Sequence, residues 1–374
     1  MMLLVVAVVV LAVAVLSAGR VGASGGGALR CGWRPVAVPA VGGLDLTAVA
    51  ARASNDVWFV GTQRGDRTIA LHYDGRSLKV VPAPTPTKTW HQVTAVATVG
   101  ARDVWVVGSV VTRTEPVSHS VPVALHYDGH SWRQVAVPAV AASYGSQFHG
   151  VAGAASNDVW AVGNADDDKQ DREGAVGLIQ RWDGQNWQTV RSAGKGSASV
   201  AGGIDYYINA VVAVSRTNVW AAGTPSGDMF NPGPPTAHWD GTSWKLVNDA
   251  YPLDHDGGLA AVSASGMGNV WFVGGAASGP FVERYDGRRF TRLDVPYAHF
   301  RDNYENKREN SYFTGVAAVA GGGAWAVGNF GIEHYDGHRW TLVSKDTSYV
   351  AIAAATPTDI WAASAEKVIH YTCK

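Results

Sequence analysis

Cysteine is nearly missing from this chain, with two in 374 residues. So sparse a pair excludes a small disulfide-dense scaffold, and the distance between Cys31 and Cys373 excludes a CxxC metal or redox motif. Charge is scarce too: Asp, Glu, Lys and Arg make up 16% of residues, and 30 basic side chains face 31 acidic ones for a net charge of −1. That balance gives no electrostatic basis for binding nucleic acid or an anionic membrane. No nucleophile elbow, phosphate loop or paired-His zinc motif is present. No catalytic residue, metal or cofactor is therefore expected.

Long apolar runs are confined to one place, Met1 to Leu16, followed by Ser17, Ala18 and Gly19. The run is short for a bilayer span and precedes a small-residue zone, which predicts a secretory signal over residues 1–23, cleaved after Ala23. No Lys or Arg precedes the run, and an uncleaved N-terminal anchor at the cell surface is the alternative. Residues 24–30 read as a flexible spacer, and no membrane span is expected in the mature protein.

What is abundant is glycine (44) and tryptophan (15), and both recur in register. Trp58, Trp105, Trp160, Trp220, Trp271, Trp325 and Trp361 sit in one short pattern. An aromatic-Asp-Gly triplet follows at Tyr73, Tyr127, Trp182, Trp239, Tyr285 and Tyr335. A period near fifty residues means one supersecondary unit copied many times. Each of the seven tryptophans lies nine residues after a β-branched residue, from Val49 to Ile352, flanked mostly by small residues. Such period-two alternation predicts strands with both faces buried. Asp-Gly marks a tight hairpin turn between the third and fourth strands of each unit. In the third copy this predicts strands over 150–155, 159–163, 177–182 and 187–190. Five further tryptophans, Trp33, Trp132, Trp187, Trp244 and Trp340, open the fourth strand, and these aromatics read as core.

Seven first-half patterns and six complete hairpins leave the last unit without its fourth strand. The segment Gly32 to Pro39 matches Ser131 to Pro138 at six of eight positions, so the N-terminal strand is expected to complete the last unit. The same alignment makes Cys31 and Cys373 neighbours in a hairpin turn and predicts a disulfide between them, as suits an exported protein. The expected fold is all-β: a seven-bladed propeller of four-stranded antiparallel blades over residues 31–374, closed by the N-terminal strand, and monomeric.

The stretch Asn269-Val270-Trp271-Phe272-Val273-Gly274-Gly275, with Val282 to Gly287 and Phe290, resembles a kelch repeat. The resemblance extends over residues 31–374 and implies four-stranded propeller blades. Only this copy keeps the double glycine, and the propellers of secreted bacterial proteins labelled galactose-oxidase-like are more similar. That likeness implies no copper chemistry, because galactose oxidase uses a Tyr–Cys cross-link and both cysteines here are assigned to the disulfide. The Ser-x-Asp-x-Gly-x-Thr-Trp box of sialidase-type propellers is absent.

In a four-stranded meander the first-to-second and third-to-fourth turns share one rim, and here they are short. The other connections vary: Ser109 to Val121, Asn164 to Gly174, Ala193 to Tyr207, Thr224 to Pro235, Asn248 to Gly258 and Pro296 to Tyr312. Long variable loops on a rigid frame are the usual place for recognition. Candidate ligand-binding residues at that rim are Trp90, His91, Tyr144, Phe148, His149, Tyr206, Tyr207, Tyr251, Tyr297, His299, Phe300, Arg301 and Tyr304. Aromatic faces with Arg suit stacking on a sugar or a protein partner; anchoring of their own loops is the structural reading of the same residues. Thr47, Thr94, His149 and Asn209 are placed at the channel mouth. Asn164-x-Asp166-x-Asp168 has calcium-loop spacing without the closing Gly and Glu, and Asp254-His255-Asp256 lacks a second ligand cluster, so each reads as a polar loop. The function expected is a secreted, non-catalytic scaffold binding a glycan or protein; a carbohydrate-active enzyme or a structural envelope component are the alternatives.

Overall fold

The structure, a computed structural model, describes residues 30–64, 67–86, 91–114, 117–140, 145–169, 172–190, 206–225, 236–247, 257–276, 279–296 and 311–373. The expected signal and almost all of the spacer lie outside these residues. Among the described residues no helix is long and apolar enough to cross a membrane.

The repeats fold as antiparallel meanders. One sheet holds β2 (Leu44–Ala53), β3 (Asp56–Gln63), β4 (Arg67–Tyr73) and β5 (Leu78–Val80). Another holds β14 (Tyr206–Ser215), β15 (Asn218–Pro225), β16 (Thr236–Trp239) and β17 (Trp244–Leu246). A third holds β18 (Gly258–Gly266), β19 (Asn269–Ala276), β20 (Gly279–Tyr285) and β21 (Phe290–Arg292). A fourth holds β22 (Phe313–Val319), β23 (Gly323–Gly328), β24 (Gly331–Tyr335) and β25 (Trp340–Ser344). In the fifth, β26 (Ala351–Thr356), β27 (Asp359–Ala363) and β28 (Val368–Cys373) are joined by the N-terminal β1 (Cys31–Val36).

The expected closed ring of seven four-stranded blades is corrected by this strand order. Five sheets are four-stranded, and one is eight-stranded. The latter combines β6 (His91–Gly100), β7 (Asp103–Thr114), β8 (Val117–Tyr127) and β9 (Trp132–Val135) with β10 (Gly145–Ala155), β11 (Asp158–Lys169), β12 (Arg172–Trp182) and β13 (Trp187–Thr189). The reason is strand length. Segments expected as loops, Ser109 to Val121 and Asn164 to Gly174, are largely ladder: β7 pairs with β8 out to Thr114 and Val117, and β11 with β12 out to Lys169 and Arg172. The overlong β8 reaches β10 through a parallel bridge between Ser120 and Gly145. Gly145 has φ 97°, and a Cβ there would lie 2.2 Å from the Ser120 carbonyl oxygen, so only glycine permits the approach.

The terminal strands do share a sheet. Trp33 of β1 lies opposite Tyr371 of β28, and Cys31 opposite Cys373, which form a disulfide. This pairing places both ends of the described chain in one sheet; the strand order establishes that, not a closed seven-bladed ring.

The period-two pattern explains the core. In β3, β19, β23 and β27 almost every residue is buried, because each second strand has a neighbouring sheet on both faces. The hydrophobic clusters therefore lie between consecutive repeats: Trp160 and Ile179 pack against Val211, Trp239 and Trp244, for example. The fourth-strand tryptophans meet the second-strand tryptophans edge-on. Trp132 stands at 84° to Trp58, Trp187 at 90° to Trp105, Trp244 at 84° to Trp160, Trp340 at 86° to Trp271 and Trp33 at 88° to Trp325. All five fourth-strand indole N–H groups are buried without an oxygen or nitrogen acceptor. The perpendicular arrangement sets the indole rim against the electron-rich face of its neighbour, a contact worth about 0.5–1.5 kcal/mol beyond burial that offsets part of the desolvation.

A polar unit accompanies four of these five stacks; at Trp325 the acceptor position is Gly323. Asp103 Oδ1 accepts from Trp105 Nε1 at 2.9 Å and lies 2.9 Å from His126 Nε2, while the His126 ring stacks on Trp105 at 4.3 Å. Asp56 with Trp58 and His72, and Asp359 with Trp361 and His370, repeat it. Arginine takes the imidazole's place where Arg181 donates to Asp158 at 2.6 Å and covers Trp160. Arg284 does the same with Asn269 and Trp271. Burial pushes the Asp56 and Asp103 pKa values up, but the hydrogen bonds from His72, Arg52 and His126 outweigh it and leave both below the ordinary value. The signal for it lies in the sequence: a His or Arg immediately precedes each Tyr or Trp at the end of the third strand.

Candidate functional site

The first strand of a repeat carries a β-bulge near the rim of the variable connections. Register shifts occur at Thr47, Thr94, His149, Asn209, Ala260 and Thr314. Opposite each bulge lies the glycine that ends the apolar half of the second strand. A Cβ on Gly61, Gly108, Gly163, Gly223 or Gly274 would sit 1.9 Å from a backbone oxygen of the bulged strand. Glycine is therefore needed there to let two backbones approach. The second glycine of the double pair has a separate cause: a Cβ on Gly275 would lie 2.5 Å from the Cβ of Tyr312.

The bulge side chains tie one repeat to the next. Thr47 Oγ1 donates to the Val93 carbonyl at 2.7 Å, and Thr94 Oγ1 to the Phe148 carbonyl at 2.8 Å. Asn209 Nδ2 donates to the Leu259 carbonyl at 2.8 Å and to Thr224 Oγ1 at 2.9 Å. His149 turns within its own repeat, with Nε2 2.5 Å from Asn164 Oδ1. Of the four residues placed at the channel mouth from the sequence, Thr47, Thr94 and Asn209 thus link repeats, and His149 bonds within its own.

Thr314 reaches the Val327 carbonyl of its own repeat at 3.4 Å, and Ala260 has no side-chain donor at all. It occupies the same bulge and has no donor for the carbonyl of Phe313, the residue equivalent to Val93, Phe148 and Leu259. Beside it is a cavity of about 410 Å³ between β14, β18 and the start of β22. Asn209, Thr224, Gly258, Leu259, Ala260, Gly275, Ala276, Ser311, Tyr312 and Phe313 line it. Gly258 and Gly275 mark close approach of Thr224 and Tyr312 and leave no space of their own; the small side chain of Ala260 accounts for the opening. Phe313 is buried and Tyr312 is 46% exposed. None of the ten residues is ionisable in the physiological range; recognition would rest on amide, hydroxyl and aromatic groups.

The structure separates the residues singled out from sequence. Phe148 is fully buried in the core with Trp187, and Tyr207 on β14 is 38% exposed. His91 opens β6 and Tyr206 opens β14. Trp90, Tyr144, Tyr251, Tyr297, His299, Phe300, Arg301 and Tyr304 lie outside the described residues, as does Asp254-His255-Asp256. Asn164 to Asp168, read as a polar loop, runs within β11. Among the described residues no group of three or more His, Cys, Asp or Glu side chains could hold a metal ion. Of the cavity residues, Asn209 was singled out from sequence, and Thr224, Gly258 and Tyr312 bounded variable connections; Leu259, Ala260 and Ser311 were not noted. The absence of a polar residue at position 260 in the bulge series was the available signal.

No family model matches the chain, and no curated protein matches it. Solved structures do. A streptogramin B lyase superposes with a TM-score of 0.59 at 15% identity, over 92% of this chain and 98% of the other. YCF48 from Cyanidioschyzon merolae gives 0.55 at 15% identity, over 91% and 98%. The WD40 repeats of RRP9 give 0.59 at 11% identity, over 92% and 100%. At such identities the likeness speaks for the β-propeller fold alone.

Proposed function

We propose that this protein is a secreted binding scaffold that recognises a glycan or protein at the rim of its variable connections, with the cavity beside Ala260 as the recognition point. The observation that carries the reading is that cavity: about 410 Å³, within the range of ligand sites, and lined by residues of three consecutive repeats, the first two of them joined by the Asn209–Leu259 hydrogen bond. Its polar groups are uncharged and lie among apolar residues such as Leu259, Ala276 and Phe313, a composition that suits a recognition site. The propeller fold of its neighbours is compatible with a binding or scaffold role. The Cys31–Cys373 disulfide supports an oxidising, extracellular environment; we propose a signal over residues 1–23, a spacer over 24–30 and a single propeller over 31–374 on the sequence pattern alone. The kelch-like and galactose-oxidase-like resemblance adds a repeat architecture to this reading and no chemistry.

The aromatic residues Tyr297, Phe300 and Tyr304 stand in the connection that leads into Tyr312, and we place them in the same recognition surface. The test is a glycan array and a peptide array probed with the mature protein, then with the Tyr297→Ala/Phe300→Ala/Tyr304→Ala triple variant. Binding by the parent that weakens at least tenfold in the variant supports the placement. Unchanged binding removes that connection from the surface, and silence on both arrays removes the binding function.

A further inference from the structure

Charge in the polar units is matched in every repeat but one. Four repeats place a carboxylate beside the second-strand tryptophan, at Asp56, Asp103, Asp158 and Asp359, and each meets a His or Arg of the third strand. Where the acid is missing in the fourth and sixth repeats, the base is a histidine. His238 lies 3.0 Å from Asn218 Oδ1, and His334 stacks on Trp325 where Gly323 takes the acceptor position. Burial lowers the pKa of both imidazoles and so favours their neutral form. The fifth repeat breaks this pattern. Asn269 replaces the acid, yet the base is Arg284, and a guanidinium keeps its charge in a protein.

Arg284 Nε donates to Asn269 Oδ1 at 3.0 Å, and its Cζ lies 5.5 Å from the centre of the Trp271 ring. Among the described residues, its two Nη groups have no hydrogen-bond acceptor and no carboxylate in ion-pair range. The next repeat supplies no acid: its turn against Arg284 is Gly321-Gly322-Gly323, and a Cβ on Gly322 would lie 2.8 Å from Nη2. Asp286, in the following turn, accepts from the backbone N–H groups of Arg288 and Arg289. Those bonds chiefly lower its pKa, and the charges of Arg289 and Arg284 act in the same direction. The same turn aspartate recurs at Asp74, Asp128, Asp183, Asp240 and Asp336, so it is not a replacement for the missing acid. Arg288 and Arg289 are exposed, and the nearest ion pair, Arg289 Nε to Asp286 Oδ2, is 3.8 Å long. The β18–β19 turn packs on this turn, with Gly268 Cα 3.2 Å from where a Cβ on Gly287 would sit. It carries Met267, 67% exposed.

We infer that the short-turn rim of the fifth repeat docks an acidic segment of a protein partner, with one carboxylate on the Nη edge of Arg284 and others at Arg288 and Arg289. This rim is opposite the variable connections, so the inference does not rest on the cavity beside Ala260. A guanidinium edge matches a carboxylate through two parallel hydrogen bonds. An inorganic anion would leave Met267 unused, whereas a protein segment can set an apolar side chain against it. A nucleic acid needs a track of phosphate contacts, and 30 basic against 31 acidic side chains supply no wider basic field.

The test is the peptide array named above, ordered by Glu and Asp content, and then fluorescence anisotropy on the mature protein near neutral pH. The probes are the tightest acidic peptide, its Gln/Asn isostere and an oligothymidylate. The parent is expected to bind the acidic peptide, to ignore the isostere and to lose affinity as salt is raised. Arg284→His restores the pairing of the fourth repeat, where His238 stacks on Trp220 at 4.1 Å beside Asn218. It is expected to keep the fold and to weaken the peptide roughly tenfold or more. The Arg288→Ser/Arg289→Ser variant, at exposed positions, should weaken it by a similar factor and covers the case in which Arg284→His does not fold. Arg76→Ser, at the matching turn of the first repeat, should leave binding unchanged. Affinity that is equal for the isostere, unchanged in both fifth-repeat variants or equally reduced by Arg76→Ser overturns the inference. So does an array on which no acidic peptide binds, or an oligothymidylate that binds as tightly as the peptide. None of these outcomes touches the reading at the Ala260 cavity, whose own test uses a different variant.

Discussion

Trp132 of β9 meets Trp58 of β3 edge-on, with ring centroids 5.6 Å apart and planes at 84°. The two residues belong to consecutive repeats, so this contact joins sheets and does not stabilise either alone. Both rings are buried, and Tyr127 and His72 complete the stack around Trp58.

Replacing Trp132 by alanine removes one member of that stack and leaves a cavity between sheets. The expected loss is about 3–5 kcal/mol of unfolding free energy. Trp132→Phe should cost clearly less, because Phe290 already meets Trp220 edge-on at 77° in an equivalent place. Urea denaturation of both variants measures the difference; equal midpoints would show that the edge-on contact contributes nothing.

The Cys31–Cys373 bond spans a sequence separation of 342 residues. Loop-closure entropy for so long a span gives a stabilisation of up to about 6 kcal/mol, an upper value because the denatured chain keeps residual structure. Reduction, or a Cys31→Ser/Cys373→Ser double variant, should therefore lower the denaturation midpoint without changing the strand content seen by circular dichroism. A midpoint unaffected by reductant would contradict this.

Glu333 on β24 is fully buried, and burial raises its pKa to about 8. Between the ordinary value of 4.5 and about 8 the folded chain holds a proton that the unfolded chain has released. Stability from this group is thus full below pH 4.5 and is lost as the pH rises toward 8. Glu333→Gln should flatten that slope, giving a variant relatively more stable at pH 8 than at pH 5. Thermal melts across this range test it; parallel curves for parent and variant would refute the assignment.

Gly163 faces the bulge at His149, and a Cβ on it would sit 1.9 Å from the Gln147 carbonyl oxygen. No rotamer relieves a clash between two backbones. Gly163→Ala should cost more than about 3 kcal/mol, whereas Gly32→Ala, with open space around it, should be nearly neutral. Comparable midpoints for the two variants would show that the bulge adjusts freely.

Much of the fold was legible because its signals are local. The turn at Asp128-Gly129 shows this: Asp128 Oδ1 accepts from the backbone N–H groups of His130 and Ser131, and Gly129 adopts φ 94°. All of that chemistry lies within four consecutive residues. The disulfide was legible for a related reason, since the copy of Ser131 to Pro138 at Gly32 to Pro39 places Cys31 in a known turn. The fusion of β6–β13 into one sheet was not legible, because the Ser120–Gly145 bridge depends on how far two hairpins extend, and polar residues such as Thr112 and His119 pair as readily in a ladder as they fill a loop.

By itself, the sequence determined the repeating meander, its two buried faces, its turns and the pairing of its ends, since each follows from residue spacing along one strand or hairpin. The tertiary structure alone decided the number of separate sheets and the cavity beside Ala260. Asn209, Ala260 and Tyr312 are about fifty residues apart in succession, and they meet only because each bulged strand packs beside the next. The space at Ala260 is a property of that packing, because a missing side chain opens a cavity only where neighbouring repeats are held too rigidly to close it.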